Sequence, residues 1–153
     1  LVLANGYTLV DALTASALAA KENRGIILVE NNQIPEGARE IVENAKDILI
    51  VGGKNSVNVN VDAERIAGSN RYETAIKVAE RTFPQAKKAA LANAFAYSDA
   101  LVFGAVSKGL EKPILLTEKD TLTPITKDYI KNKGIKDISI IGGINSISEE
   151  IFK

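Results

Sequence analysis

Displaced by 88 positions, the chain falls on itself. Leu3-Ala4-Asn5 lies over Leu91-Ala92-Asn93, Asp11-Ala12-Leu13 over Asp99-Ala100-Leu101, Ile26-Ile27-Leu28 over Ile114-Leu115-Leu116, and Glu30 over Glu118. After a two-residue insertion the match resumes, with Val51-Gly52-Gly53 over Ile141-Gly142-Gly143 and Asn55-Ser56-Val57 over Asn145-Ser146-Ile147. An ordered series of this kind means that one structural unit is used twice. Any fold for these 153 residues must therefore be assembled from two similar halves.

The second copy is the more complete. From Asn70 to Thr82, apolar residues at Tyr72, Ala75, Ile76 and Ala79 mark one helix face. Asn70 with Glu73 three residues on reads as an N-terminal cap, and Pro84 stops the helix. Ala89 to Ala92 and Ile114 to Leu116 have the length and character of buried strands, with an apolar helix between them from Asp99 to Lys108. A further helix runs from Pro124 to Lys133 and ends at Gly134, and a third strand spans Ile138 to Ile141. The first copy repeats the strands near Leu1–Ala4, Ile26–Val29 and Ile48–Val51. It lacks the opening helix, which is expected before Leu1 in a longer parent chain. The alternation Val57-Asn58-Val59-Asn60-Val61 predicts a linking strand. The module boundary is placed near Asp62 to Glu64, giving units 1–64 and 65–153. Alternating helices and strands imply an α/β fold: parallel-sheet, three-layer modules of Rossmann-like or toprim-like type, in tandem.

Composition narrows the function. The chain has no Cys, Met, Trp or His. Disulfides and thiolate chemistry are thus excluded, and the commonest general base and metal ligand is missing. No cofactor is expected. No apolar run approaches the roughly 20 residues of a membrane span. Net charge is zero, but residues 1–64 carry five basic against nine acidic side chains, and residues 65–153 carry fourteen against ten. Such asymmetry fits a packed interface between the halves, a surface that meets an anion, or scattered solvated charge.

In open parallel sheets, ligands bind beyond the carboxyl ends of the strands. That edge collects Asp11, Gly52 and Gly53 in the first copy, and Asp99, Gly142 and Gly143 in the second. The aspartates suit helix caps or ligand contacts, and the glycine pairs suit tight turns or a phosphate cradle. Neither copy holds a dinucleotide fingerprint or a phosphate-binding loop with its lysine. The densest polar segment is Arg65-Ile66-Ala67-Gly68-Ser69-Asn70-Arg71-Tyr72-Glu73-Thr74. Its planar guanidinium groups suit phosphate or carboxylate, or ion pairs that lock the module boundary. Aromatic residues do not interleave with basic ones as nucleic-acid binding would require.

The segment from Arg65 to Ala75 resembles the opening signature of the type 2 cell-wall-binding repeat. Asp-Ala-Leu at 11–13 and 99–101, Pro113 to Thr117, and the Gly-Gly-x-x-Ser motifs at Gly52 to Val57 and Gly142 to Ile147 are similar to other parts of that repeat. The first copy departs from the pattern: it has no arginine signature, and the helix after Gly53 is shortened. The resemblance implies a secreted surface protein of Gram-positive bacteria, held non-covalently to an anionic, teichoic-acid-like secondary wall polymer. It implies no catalysis. Such modules usually occur as three in tandem around a pseudo-threefold axis, beside a separate effector domain. Ligand contacts are then expected at Arg65, Arg71, Tyr72, Asp11, Asp99 and the two glycine pairs.

Two alternatives stand beside anchoring: a structural module that assembles a surface layer (S-layer), and a nucleotide-binding enzyme on an α/β scaffold. Neighbouring modules of the same protein, or another copy, are expected partners, because the first sheet without its opening helix should expose apolar strand residues. No nucleic-acid partner is expected.

Overall fold

The computed structural model describes residues 1–96, 103–104 and 107–152. Two parallel sheets carry the repeat. The first contains β1 (Val2–Asn5), β2 (Ile26–Val29), β3 (Leu49–Val51) and β4 (Glu64–Ile66), in the order β2-β1-β3-β4. The second contains β5 (Lys88–Asn93), β6 (Ile114–Thr117) and β7 (Asp137–Ile140), in the order β6-β5-β7. Registers repeat with the sequence. Leu3 pairs with Ile27 and Ile50, and Leu91 pairs with Leu115 and Ile140. The two-residue insertion therefore falls between the second and third strands of the unit and leaves the pairing intact.

One expected element is corrected. The Val57–Val61 segment is not a strand; the strand that follows the first unit is β4, which adds to the edge of the first sheet beside β3. The alternation in 57–61 has a different cause. Val57 and Val59 are buried against Leu3, Ile50 and Val42, with no backbone ladder. Burial on alternate side chains produces period two without sheet pairing.

Helix α1 (Val10–Glu22) is apolar on nearly all sides and is buried on nearly all sides, as such a helix must be. Ala12, Ala15, Leu18 and Ala19 pack on Val2, Ala4, Leu49 and Val51 of the first sheet. Leu13 and Ala17 pack on Ala90, Ala92, Ile114 and Leu116 of the second. Alanine at so many positions lets both sheets approach the helix axis. Residues 103–104 and 107–110 are helical, and the rest of the expected Asp99–Lys108 helix lies outside the described residues. A Cβ at Gly104 would stand 1.7 Å from Ser16 Oγ, so the approach to α1 there excludes any side chain.

On the outer face of the first sheet lies the short α2 (Arg39–Glu43), preceded by a 3₁₀ turn at Glu36–Ala38. Helix α3 (Arg71–Thr82) contributes Val78 to the first sheet's core and Ala75 to the second's. Its Ile76 and Ala79 join Tyr129 of α4 (Pro124–Lys133) over Leu91 and Leu115. Both helices keep their expected signals. Asn70 Oδ1 accepts from Glu73 N at 2.9 Å, and Gly134 closes α4 at φ 64°. Arg81 joins the acidic half to the basic half, pairing with Glu22 at 2.8 Å and Glu64 at 2.6 Å, while Arg24 ties Glu22 to Asp47. The β2 edge of the first sheet stays open among the described residues. Ile26 and Leu28 are 36% and 44% exposed, whereas their counterparts Ile114 and Leu116 lie under α1 and α3. Among the described residues, no helix is long and apolar enough to cross a membrane.

Candidate functional site

The same asparagine ends the first strand of each unit and organises the loop beyond it. Asn5 Nδ2 donates to Ser56 O at 2.6 Å, and Asn93 Nδ2 donates to Ser146 O at 2.5 Å. Each Oδ1 turns back to accept a backbone N–H two residues on, from Tyr7 at 2.8 Å and Phe95 at 2.7 Å. These Asx turns clamp the post-strand loop to the Gly-Gly-x-x-Ser loop. Repetition makes the arrangement legible, since Asn5, Tyr7 and Ser56 each have an equivalent residue in the second copy.

The first glycine of each pair serves backbone geometry. Gly52 has φ 120° and Gly142 φ 99°, conformations that side chains disfavour. A Cβ on Gly52 would meet Asp11 Oδ2 at 2.6 Å. Several amides of these loops are engaged within the turns themselves. Ser56 N and Val57 N donate to Gly53 O, and Gly52 N donates to Ile66 O, so these amides are already engaged. Ser146 N and Ile147 N donate to Gly143 O in the same way.

Asp11 is not a helix cap. The cap position is Leu9, in the left-handed region at φ 53°, and Asp11 lies inside the first turn, 7% exposed. Its Oδ2 accepts from Ser56 Oγ at 2.9 Å. Burial pushes the Asp11 pKa up, against the Ser56 hydrogen bond and the Arg71 charge, which pull it down. Asp99 lies outside the described residues.

The two arginines separate. Arg65 donates from Nη1 to Gly52 O at 2.7 Å, bracing the glycine turn. Arg71 begins α3, donates to Ala94 O at 2.9 Å and stacks its guanidinium 4.7 Å from the Phe95 ring centre. Tyr72 donates to Glu118 Oε1 at 3.3 Å; burial first, then the charge of Glu118, raise its pKa. Upstream, Gly68 packs so closely on the backbone of Glu73 that any side chain is excluded. The Glu73 carboxylate accepts from Ser69 Oγ and N and pairs with Lys77, which lowers its pKa to about 2.

A cleft of about 480 Å³ forms where these parts meet, a volume within the range of small-ligand sites. One wall is Asn5, Thr8, Asp11 and the Gly53–Ser56 loop of the first unit; the other is Gly68–Arg71 and Thr74 at the start of α3. Of the expected residues it gathers Asp11, Gly53 and Arg71, but not Arg65, Tyr72, Gly52, Gly142 or Gly143. Lys54, Thr8 and Ser56 also line it, and composition gave no reason to single them out. Its charged side chains are Lys54, Arg71 and Asp11, and the amino terminus of α3 adds partial positive charge.

Two exposed rings stand in the loops beside this cleft. Tyr7 is 74% exposed and Phe95 61%. The nearby Glu30 carboxylate, as acceptor and then as charge, raises the pKa of the Tyr7 phenol.

Comparison with known proteins agrees with the repeat and the fold. The family model described as cell wall binding domain 2 (CWB2) matches residues 1–62 and 65–152. The chain is 31% identical over 162 residues to the N-acetylmuramoyl-L-alanine amidase LytC of Bacillus subtilis (strain 168), covering 99% of this chain and 32% of that protein. Two solved structures from Clostridium difficile are similar: Cwp6, with TM-score 0.83 and 29% identity over 98% of this chain, and Cwp8, with TM-score 0.77 and 26% identity over 99%. The chain spans 26% of the former and 28% of the latter, so it corresponds to about a quarter to a third of these relatives. With both halves matched by one model, the chain belongs to the cell wall binding domain 2 family, whose role is attachment to the cell wall.

Proposed function

We propose that the chain is a non-catalytic anchoring unit that holds a secreted protein on the cell surface by binding an anionic secondary wall polymer in the cleft between its two units. The observation that carries this reading is Arg71. It lines the cleft at the amino terminus of a twelve-residue helix and, among the described residues, spends a single hydrogen bond on the fold, to Ala94 O. A guanidinium carries five N–H donors, so a phosphate or carboxylate can still be met. Lys54 lines the same cleft and adds a second cation.

The test is co-sedimentation with purified Gram-positive walls, before and after hydrofluoric acid strips the phosphodiester-linked polymer. Binding is expected to be lost on stripping and to fall with salt, because exposed charge is screened over about 8 Å at physiological ionic strength. Arg71→Ala is expected to lose a charge-assisted contact of about 1.5–3 kcal/mol, roughly 10- to 150-fold in affinity. Lys131→Ala, on exposed α4, should change little. Binding that survives stripping, or equal small losses for both variants, refutes the proposal. The competing assembly reading rests on exposed Ile26 and Leu28. It is favoured if stripped and native walls bind alike while the protein associates with itself.

A further inference from the structure

The proposed cleft gives an anion only local attraction, because the chain as a whole has zero net charge. Carboxylates also stand near by: Glu30 beside Tyr7, and Glu118 held by Tyr72 next to Arg71 in sequence. Glu30 and Glu118 are equivalent positions, as are Tyr7 and Phe95. Each unit thus presents one exposed ring beyond its first strand and one carboxylate just after its second. The rings are not held by burial. Asx turns at Asn5 and Asn93 fix the backbone that bears them, and an aromatic side chain has only two torsions left to order. A single exposed apolar side chain is ordinary, but here the same position of both units carries a ring on a backbone held by an Asx turn.

Acidic groups beside exposed rings repel a polyanion but suit a sugar. The C–H face of a pyranose packs on an aromatic ring, and its hydroxyls donate to carboxylates. We propose that Tyr7 with Glu30, and Phe95 with Glu118 at the equivalent positions, are stacking platforms for pyranose rings of a wall glycan, flanking the anion contact at Arg71. This rests on the anchoring function above and assigns the neutral part of the ligand to residues distinct from those that meet its charge. Arg71, stacked on one face of Phe95, joins the two kinds of contact.

The pyranose could come from the secondary polymer or from the peptidoglycan glycan, and two soluble probes separate these sources. One is the neutral saccharide fraction released from Bacillus subtilis walls by hydrofluoric acid; the other is tri-N-acetylglucosamine. The chain has no tryptophan, so Tyr7→Trp and Phe95→Trp each place a single reporter on a platform. A saturable shift in tryptophan emission with either probe is expected, and it identifies the source. In wall sedimentation, Tyr7→Ala and Phe95→Ala should each weaken binding roughly 2- to 12-fold, the usual range for an aromatic contact. Salt dependence should stay unchanged for Tyr7→Ala, whose ring does not hold Arg71, and Tyr7→Phe should bind like the parent chain. All variants alter exposed side chains, so urea midpoints should match and exclude misfolding. Emission unmoved by both probes, or alanine variants that bind walls like the parent, overturns the platforms. Neither result touches the Arg71 and stripping tests, so failure of the platforms and failure of the anchoring function are told apart.

Discussion

Replacing Asn5 by alanine tests whether the asparagine clamp organises the carboxyl edge. Asn5 is 5% exposed and makes three good hydrogen bonds: to Ser56 O at 2.6 Å, and from the backbone N–H groups of Tyr7 at 2.8 Å and Thr8 at 2.9 Å. Each contributes about 1 kcal/mol net, and a buried group left unpaired costs more. Tyr7 and Thr8 are exposed, so water can take over their amides. The loss is therefore set at about 2 kcal/mol rather than 3 or more. For a chain of this size that corresponds to a fall in melting temperature of roughly 4–8 °C. Urea unfolding followed by far-ultraviolet circular dichroism measures it, with an unchanged denaturant slope if the native state stays compact. Asn93→Ala removes two such bonds and should cost less. The double variant should be additive, because the two clamps belong to different sheets. A loss below about 0.5 kcal/mol for Asn5→Ala, the level of an ordinary surface change, refutes the clamp.

Three further outcomes follow from the same geometry. Gly52→Ala should cost about 3 kcal/mol in urea unfolding, since it adds strain at φ 120° to a 2.6 Å approach to Asp11, whereas Gly53→Ala, with open space around it, should stay within about 0.5 kcal/mol. Asp11→Asn should stabilise the chain at neutral pH: a carboxyl whose folded pKa is raised is penalised as pH rises through its unfolded and then its folded value, so the gain over the parent should grow from pH 3 to pH 7 and be absent in acid. Tyr129→Phe should raise stability by about 1 kcal/mol, because among the described residues the Tyr129 hydroxyl is buried without a hydrogen-bond partner; a loss on removing it would reveal a partner.

The fold was largely legible because repetition doubles every weak signal. Strands at 26–29 and 114–117, the Asn70 cap and the Gly134 stop are local chemistry, and each lies where its residues point. The Val57–Val61 alternation misleads because it records which side chains are buried, not which backbone groups pair. Arg65 and Arg71 look equivalent in a line of text, since both are cations near a glycine. Strand β4 carries one to the carbonyl of Gly52, and helix α3 carries the other into the cleft. No spacing rule distinguishes them, because the difference depends on which sheet β4 joins.

That dependence also explains why the candidate site cannot be assigned to one copy of the repeat. The first unit supplies the strand edge, the buried Asp11 and the glycine loop, while the second supplies the amino terminus of α3 with Arg71. Helix α1, packed on both sheets, fixes the distance between these walls. Arg81, bonded to Glu22 and Glu64, supports the same junction from farther along α3. These partly exposed ion pairs contribute at most about 1 kcal/mol each, so the apolar contacts of α1 must set the geometry. A core substitution such as Leu13→Ala therefore acts on the cleft without touching it, by loosening the helix against which both walls are held.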